Sequence, residues 1–322
     1  MVLGAGAIGG VIAASLHRAG IEVAAIARGA HLAAIQRRGL LLRTPDGDWT
    51  VRLTAVGSPR ELEWRDDDAV VLAVKSQDTE AALRDLAAVA PPSVVVACAQ
   101  NGVANEPAAL RLFASTLAVL VILPATHLEA GVVAAESLPC LGILDVGCYP
   151  AGVDAVAREV AVTLGAAGFS SLALPDVVRW KYRKLLVNLA NAVGAICGPE
   201  RARGELAARV FAEGEAVLRA AGIASVSVEE DAARRDGLIS IRPIVGHRRA
   251  GSSSWQSLSR GTGSIEADYL NGEIVLLGRL HGVPTPANAL VQRIANRMAR
   301  ERAGPGAISE SEVLSHLDAS SR

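Results

Sequence analysis

The sequence predicts an α/β chain in which an amino-terminal doubly wound parallel sheet is followed by an all-helical domain. Two observations point there. Short apolar runs alternate with helical stretches as far as about Ser171. Beyond Leu174-Pro175-Asp176 the pattern changes to long helical periodicity. The chain's 322 residues suffice for two cores, and the boundary is placed near Pro175, giving domains 1–175 and 176–322.

The first strand is expected at Met1–Leu3, followed by Val23–Ile26, Ala69–Val74, Val94–Cys98 and Leu117–Leu123. A run such as Ala69-Val70-Val71-Leu72-Ala73-Val74 lacks polar alternation, as a parallel strand does when helices cover both of its faces. Only three residues precede Gly4, against about 5 to 6 in an average strand. Either the chain begins late or the sheet tolerates a short central strand. Leu40–Val56, with Pro45-Asp46-Gly47 at its middle, reads as an inserted hairpin, and a further antiparallel addition is expected between Ala125 and Val146. In the second half the clearest helices are Val177–Ile196, Gly204–Ala221 and Ile265–His281. The polar tail after Ala303-Gly304-Pro305-Gly306 is expected to fray.

Composition narrows the function. A net charge of −1, with 20% charged and 51% hydrophobic residues, gives no summed positive field for nucleic acid or an anionic membrane surface. Cys98, Cys140, Cys148 and Cys197 form no CxxC or Cys/His cluster, which suggests reduced thiols in the cytoplasm rather than a zinc site or a disulfide framework. No cationic apolar leader precedes the first motif, and the apolar runs stop short of a membrane span. A homodimer is compatible with the sequence but is not specified by it.

Gly4-Ala5-Gly6-Ala7-Ile8-Gly9 joins the first strand to the helical stretch that follows, the strand–turn–helix context in which GxGxxG binds a dinucleotide. The first glycine allows the tight turn and the second lets a pyrophosphate approach the backbone. The third lets helix and strand pack closely, leaving the anion on the helix amino terminus. This is the fingerprint of a Rossmann domain. The second strand ends in Ala27-Arg28-Gly29, where an NAD enzyme would carry an acid for the ribose hydroxyls. Arg28 would instead pair with a 2′-phosphate, so NADP(H) is the expected cofactor.

On the predicted helix Val177–Ile196, Asn188 falls about 40° and Asn191 about 20° around the axis from Lys184, so all three share one face. Buried polar groups need partners, and a ligand could supply them. Lys181 and Arg183 read as snorkelling surface residues. His127, His247 and His281 lack a partner pattern for a histidine-based dehydrogenase, and no metal box is evident.

The chain resembles ketopantoate reductases. The resemblance is carried by Gly4–Gly9, Ala27-Arg28-Gly29, Val74-Lys75-Ser76, Gln100-Asn101-Gly102, Trp180–Asn191 and Glu266-Ala267-Asp268-Tyr269-Leu270-Asn271-Gly272, in this order across most of the sequence. It implies a Rossmann domain joined to a helical domain like that of 6-phosphogluconate dehydrogenase, and reduction of 2-dehydropantoate to (R)-pantoate by NADPH in pantothenate biosynthesis. It also implies that Lys75 and Asn101 contact the cofactor or the substrate beside it, and that Lys184 is the general acid. Glu266 would support that lysine and bond the substrate, with Asn188 and Asn191 in the substrate site. The serine for the substrate carboxylate is Ser254 counting from Glu266, or Ser253 counting from Trp255. Asp268 and Asn271 are expected to be structural, bonding loop backbone or a helix start. The chain departs from the family at Ala192, where the family's second asparagine would stand, with Asn191 one residue earlier. Two alternatives stay open: a paralogous NADPH-dependent reductase of another branched 2-oxo acid, and a non-catalytic NADP-binding sensor.

Overall fold

The computed structural model describes residues 1–246 and 251–319. His247 lies outside the described residues. In chain order the strands are β1 (Val2–Leu3), β2 (Ala24–Ile26), β3 (Leu40–Thr44), β4 (Gly47–Val51), β5 (Thr54–Val56), β6 (Ala69–Leu72), β7 (Val95–Cys98), β8 (Thr116–Ile122), β9 (Ala125–Thr126), β10 (Val132–Ala135), β11 (Ser137–Pro139), β12 (Ile143–Cys148) and β13 (Ile239–Ile241). The α-helices are α1 (Ala7–Arg18), α2 (Gly29–Arg38), α3 (Thr79–Ala87), α4 (Asn105–Leu110), α5 (Ala155–Ala166), α6 (Val177–Cys197), α7 (Glu205–Ala220), α8 (Val228–Arg235), α9 (Ser253–Ser259), α10 (Asn271–His281), α11 (Pro286–Arg300) and α12 (Glu310–Ala319).

The chain divides into two compact units, residues 1–181 with 227–249 and residues 182–226 with 250–322. The division differs in form from the single cut near Pro175, because it falls inside α6 and a later segment returns to the first unit. Physical ties explain the return. β13 pairs antiparallel with β11, and the Arg234 guanidinium donates to both Asp145 carboxylate oxygens at 2.8 and 2.6 Å.

In the first unit, seven strands form a sheet in the order β12-β8-β7-β6-β1-β2-β5. All neighbours are parallel except β12, which runs antiparallel to β8. Both residues of β1 are buried, at 0% and 3% exposure, so two residues suffice for a central strand hydrogen-bonded on both sides. The expected hairpin is confined to β3 and β4, which join β10 and β9 in a separate four-stranded sheet. Its last residues instead form β5, the main sheet's parallel edge strand. The antiparallel addition expected after Ala125 is divided in the same way between β9–β10 and β12.

In the second unit, α6 beyond Lys181, α7 and α9 to α12 supply the described α-helices. Leu185, Leu189, Val210, Val217, Ile274 and Val291 are fully buried. The Cβ of an alanine at Gly214 would lie 2.6 Å from Leu186 Cδ2, which shows how closely α7 packs on α6. The expected helix Ile265–His281 is two pieces, a 3-10 turn over Glu266–Tyr269 and then α10. Leu270, at φ −113° and ψ −85°, breaks the helix between them. The tail expected to fray contains α12 instead. There Val313 and Leu317, one turn apart, are buried at 0% and 4% exposure, and Ser309 Oγ accepts the Glu312 N–H. Among the described residues no helix is long and apolar enough to cross a membrane.

Candidate active site

The first unit gathers its candidate residues at one sheet edge. Leu3 pairs with both Ile26 and Leu72, and Leu72 pairs with Cys98. Gly4, Arg28, Lys75 and Asn101 therefore leave neighbouring strands at their carboxyl ends, where open α/β sheets bind ligands. Gly4 adopts φ +104° and sits against Val74, whose nitrogen would lie 2.7 Å from a Cβ on Gly4. Gly6 is the N-cap of α1, no side chain caps that helix, and its first turn carries no acid. A Cβ on Gly6 would meet nothing within 4 Å. Open space above backbone N–H groups, without a competing carboxylate, fits a dinucleotide pyrophosphate. Gly9 is the opposite case, since a Cβ there would run into Gly4 O, with Ala73 Cβ at 2.9 Å. Arg28 is exposed at the N-cap position of α2.

Beneath this edge lies a buried polar network. Gln100 Nε2 donates to Val74 O at 2.7 Å and to Thr79 Oγ1 at 2.8 Å, and Thr79 Oγ1 donates to Asn105 Oδ1 at 2.8 Å. Asn105 Nδ2 donates to Ser76 Oγ at 3.3 Å and to Asn101 O at 3.1 Å. These bonds hold the carbonyl just before Lys75 and the carbonyl of Asn101 itself, a support that the sequence reading did not find. Its local signals were Gln100, a polar residue ending an apolar strand, and Asn105 four residues beyond Asn101.

His31 was missed as well. Its Nε2 lies 2.7 Å from Ala5 O, within the glycine turn, and the Gly131 N–H donates to Nδ1 at 2.9 Å. A backbone N–H can only donate, so Nδ1 accepts and the proton sits on Nε2. Burial holds the His31 pKa below its usual value, opposed in part by the Ala5 carbonyl. The ring packs on His127 with centroids 4.2 Å apart.

In the second unit, α6 presents Lys184, Asn188 and Asn191 on one face. Asn188 is 4% exposed, while Lys184 and Asn191 are partly exposed. Asn191 Nδ2 donates to Asn188 Oδ1 at 3.3 Å, linking the two amides. Ala192 is fully buried. Ser252 caps α9 by accepting the Trp255 N–H at 3.3 Å and donates its own hydroxyl to Asn191 O at 3.2 Å, which ties the serine segment to the amide stripe. Ser253 opens α9, and its carbonyl accepts from Ser257 Oγ at 2.9 Å. Ser254 is 2% exposed, and its Oγ has no hydrogen-bond partner among the described residues.

Glu266 is buried at 8% exposure at the start of its 3-10 turn. Burial lowers the pKa of Arg260, and the charge of Glu266 partly opposes that shift, so a cation and this carboxylate are electrostatically coupled. Asp268 accepts from Gln292 Nε2 and Asn296 Nδ2, both at 2.6 Å, so it bonds side chains of α11 rather than loop backbone. Asn271 Nδ2 donates to Leu189 O at 3.3 Å and to Asn288 Oδ1 at 3.0 Å, joining α10 to α6 and α11.

The expectation for Lys181 and Arg183 is overturned, because they are 4% and 7% exposed. Lys181 pairs with buried Glu106 at 2.5 Å in the first unit. In the second unit, Arg183 lies 3.9 Å from Glu215 and stacks over Phe211 with its guanidinium carbon 5.4 Å from the ring centre. Each cation is buried because elements distant in sequence bring it a partner, and helical periodicity does not show that.

Comparison with known proteins adds the lineage. The family descriptions Ketopantoate reductase PanE/ApbA and Ketopantoate reductase PanE/ApbA C terminal match residues 1–150 and 176–299. The 2-dehydropantoate 2-reductase of Caulobacter vibrioides is 31% identical over 305 residues, covering 92% of this chain and 98% of that protein. The protein of the same name from Pyrococcus horikoshii is 28% identical over 314 residues, covering 95% and 98%. Among solved structures, a ketopantoate reductase from Ralstonia eutropha aligns with TM-score 0.78 and 30% identity over 94% of this chain and 99% of its own. D-mandelate dehydrogenase, solved with NADH and anilino(oxo)acetate, shares the fold at TM-score 0.78 and 21% identity over 94% of this chain and 100% of its own. With its glycine turn at the sheet edge, its polar stripe on α6 and relatives of this kind over nearly its whole length, the chain belongs to the ketopantoate reductase family of nicotinamide-dependent oxidoreductases.

Proposed function

We propose that this protein reduces 2-dehydropantoate to (R)-pantoate with NADPH, the first unit binding the coenzyme and the helical unit supplying the acid. When bound, NADPH supplies the hydride that reaches the carbonyl carbon. The backbone of Gly4, Ala5, Gly6, Ala7, Ile8 and Gly9 holds the pyrophosphate on the amino terminus of α1. Arg28 pairs with the 2′-phosphate, and Lys75 and Asn101 serve the nicotinamide end of the same sheet edge.

Lys184 donates a proton to the carbonyl oxygen as negative charge develops there, an interaction stronger in the transition state than with the neutral ketone. Glu266 favours the charged form of this lysine and helps orient the substrate. Asn188 and Asn191 hold the oxo acid by their amides. The buried Ser254 hydroxyl, without a partner among the described residues, donates to the substrate carboxylate. The observation that carries this reading is the stripe on α6, where buried Asn188 stands one turn from Lys184 with Asn191 on the same face.

Ala192 favours a second reading. A fully buried methyl replaces the amide that the family resemblance places there, so the pocket is suited to a branched 2-oxo acid making fewer polar contacts. The experiment is oxidation of NADPH and NADH with 2-dehydropantoate beside a panel of branched 2-oxo acids. The proposal expects the highest kcat/KM for NADPH with 2-dehydropantoate. A stronger preference for another oxo acid would favour the paralogous reductase. NADPH binding without turnover of any panel member would identify a sensor.

A further inference from the structure

We propose that Lys181 is a positioning residue for the coenzyme edge: its buried ammonium grips the Gln100 carbonyl and so sets the direction in which Asn101 projects. The inference rests on the reading of the protein as an NADPH-dependent reductase, and it concerns only groups within the first unit.

Lys181 Nζ donates to Gln100 O at 2.9 Å and to Val119 O at 3.2 Å, and it lies 2.5 Å from Glu106 Oε1. Of the three N–H donors of the ammonium, two go to these carbonyls, and the Glu106 carboxylate stands beside it as the neutralising charge. The side chains of Lys181 and Glu106 are 4% and 1% exposed, so water does not screen the pair. Isolated burial of such a pair is weak evidence for stability, since apolar residues of similar volume often serve as well. The geometry points to a different role.

The carbonyl that Lys181 grips lies in the peptide unit just before the Asn101 Cα. The carbonyl just after it, Asn101 O, accepts from buried Asn105 Nδ2 at 3.1 Å. Both peptide units flanking Asn101 are thereby pinned, which fixes its backbone dihedrals and the base of its side chain. The sheet ladder ends just upstream, with Ala99 N–H donating to Leu72 O at 2.9 Å, so the ladder itself cannot hold this turn. Lys181 reaches it from a helix 81 residues away in sequence.

The test combines Lys181→Met with Glu106→Leu, which removes both charges together and leaves neither ion buried alone. We expect a folded protein whose NADPH Kd, measured by fluorescence titration, changes by less than about 3-fold, because the pyrophosphate and 2′-phosphate contacts are untouched. Turnover at saturating substrate is expected to fall about 10- to 100-fold, the scale of a misplaced group near reacting atoms. In an Asn101→Ala background the same pair of changes should reduce kcat by less than about 2-fold more, since residues acting through one another are non-additive. Should the double variant fail to fold, Lys181→Arg, which keeps the charge and moves the donors, carries the same two comparisons. Unchanged kcat in the folded variant, or losses that multiply with those of Asn101→Ala, would overturn the positioning role while leaving the reductase reading intact. A wild-type protein that neither binds NADPH nor turns over an oxo acid would overturn the reductase reading, and this inference with it.

Discussion

Replacing Gly6 and Gly9 separately by alanine divides the glycine turn into a binding duty and a packing duty. At Gly9 a Cβ would lie 2.9 Å from Ala73 Cβ and 3.0 Å from Val2 Cγ1, in addition to colliding with Gly4 O. Ordinary contact begins at 3.4 Å, so these two neighbours alone would have to retreat by 0.5 and 0.4 Å (3.4 − 2.9 and 3.4 − 3.0). Val2 is a fully buried residue of the central strand and cannot easily move. Overpacking of this kind destabilises by about 1–3 kcal/mol or more, which corresponds to a Tm drop of roughly 2–12 °C for a unit of this size. At Gly6 the backbone, at φ −71° and ψ −155°, is open to alanine, and a Cβ would touch nothing. Stability should fall by about 1 kcal/mol at most, the difference between glycine and alanine as N-cap. The new methyl would stand where the pyrophosphate approaches. Loss of one charge-assisted bond there is worth about 1.5–3 kcal/mol, or about a 10- to 100-fold rise in NADPH Kd. Thermal unfolding and NADPH titration of both variants measure the two effects. Wild-type NADPH affinity in Gly6→Ala, or wild-type stability in Gly9→Ala, would refute the argument.

Three further predictions follow from other parts of the structure. Arg28→Ala should reduce the preference for NADPH over NADH by about 10- to 100-fold, the value of a charge-assisted pair, as measured by Kd for each coenzyme. Ser254→Ala should leave Tm equal or higher, because it removes a buried hydroxyl lacking a protein partner, yet raise KM for the oxo acid by about 10-fold, as steady-state kinetics would show. The His31 pKa is depressed on folding, chiefly by burial. Its contribution to stability is therefore complete above the unfolded histidine value of about 6.5 and is lost as pH falls through the lower folded value. Tm scans from pH 7.5 to 5 should show a decline that His31→Gln makes shallower.

Much of the fold was legible because strand and helix periods are local. The apolar runs marked β1, β2, β6, β7 and β8 to within about two residues, and α6 and α7 to within one. Ala73 and Val74 were read as strand because they are apolar, yet they leave the ladder where Gly4 packs against them. Features made by distant partners were not legible. The return of residues 227–249 to the first unit depends on Asp145 meeting Arg234, 89 residues away. The burial of Lys181 depends on Glu106, and α12 depends on a surface for Val313 and Leu317. At the candidate site, the residues with motif spacing were all nameable from sequence. His31 carries no spacing signal for its bond to Ala5 O, and Gln100 and Asn105 carry only the weak local ones of a polar strand end and a four-residue step, because their partners on Val74 and Thr79 are set by the fold.

The central claim is that Lys184 donates the proton to the reduced carbonyl. The most direct measurement is the turnover of 2-dehydropantoate by Lys184→Ala with NADPH affinity measured on the same preparation. A general acid contributes about 10²- to 10⁴-fold, so kcat should fall by that factor while the NADPH Kd stays within about 3-fold of the wild type. Turnover by the variant within a few-fold of the wild-type rate would contradict the account.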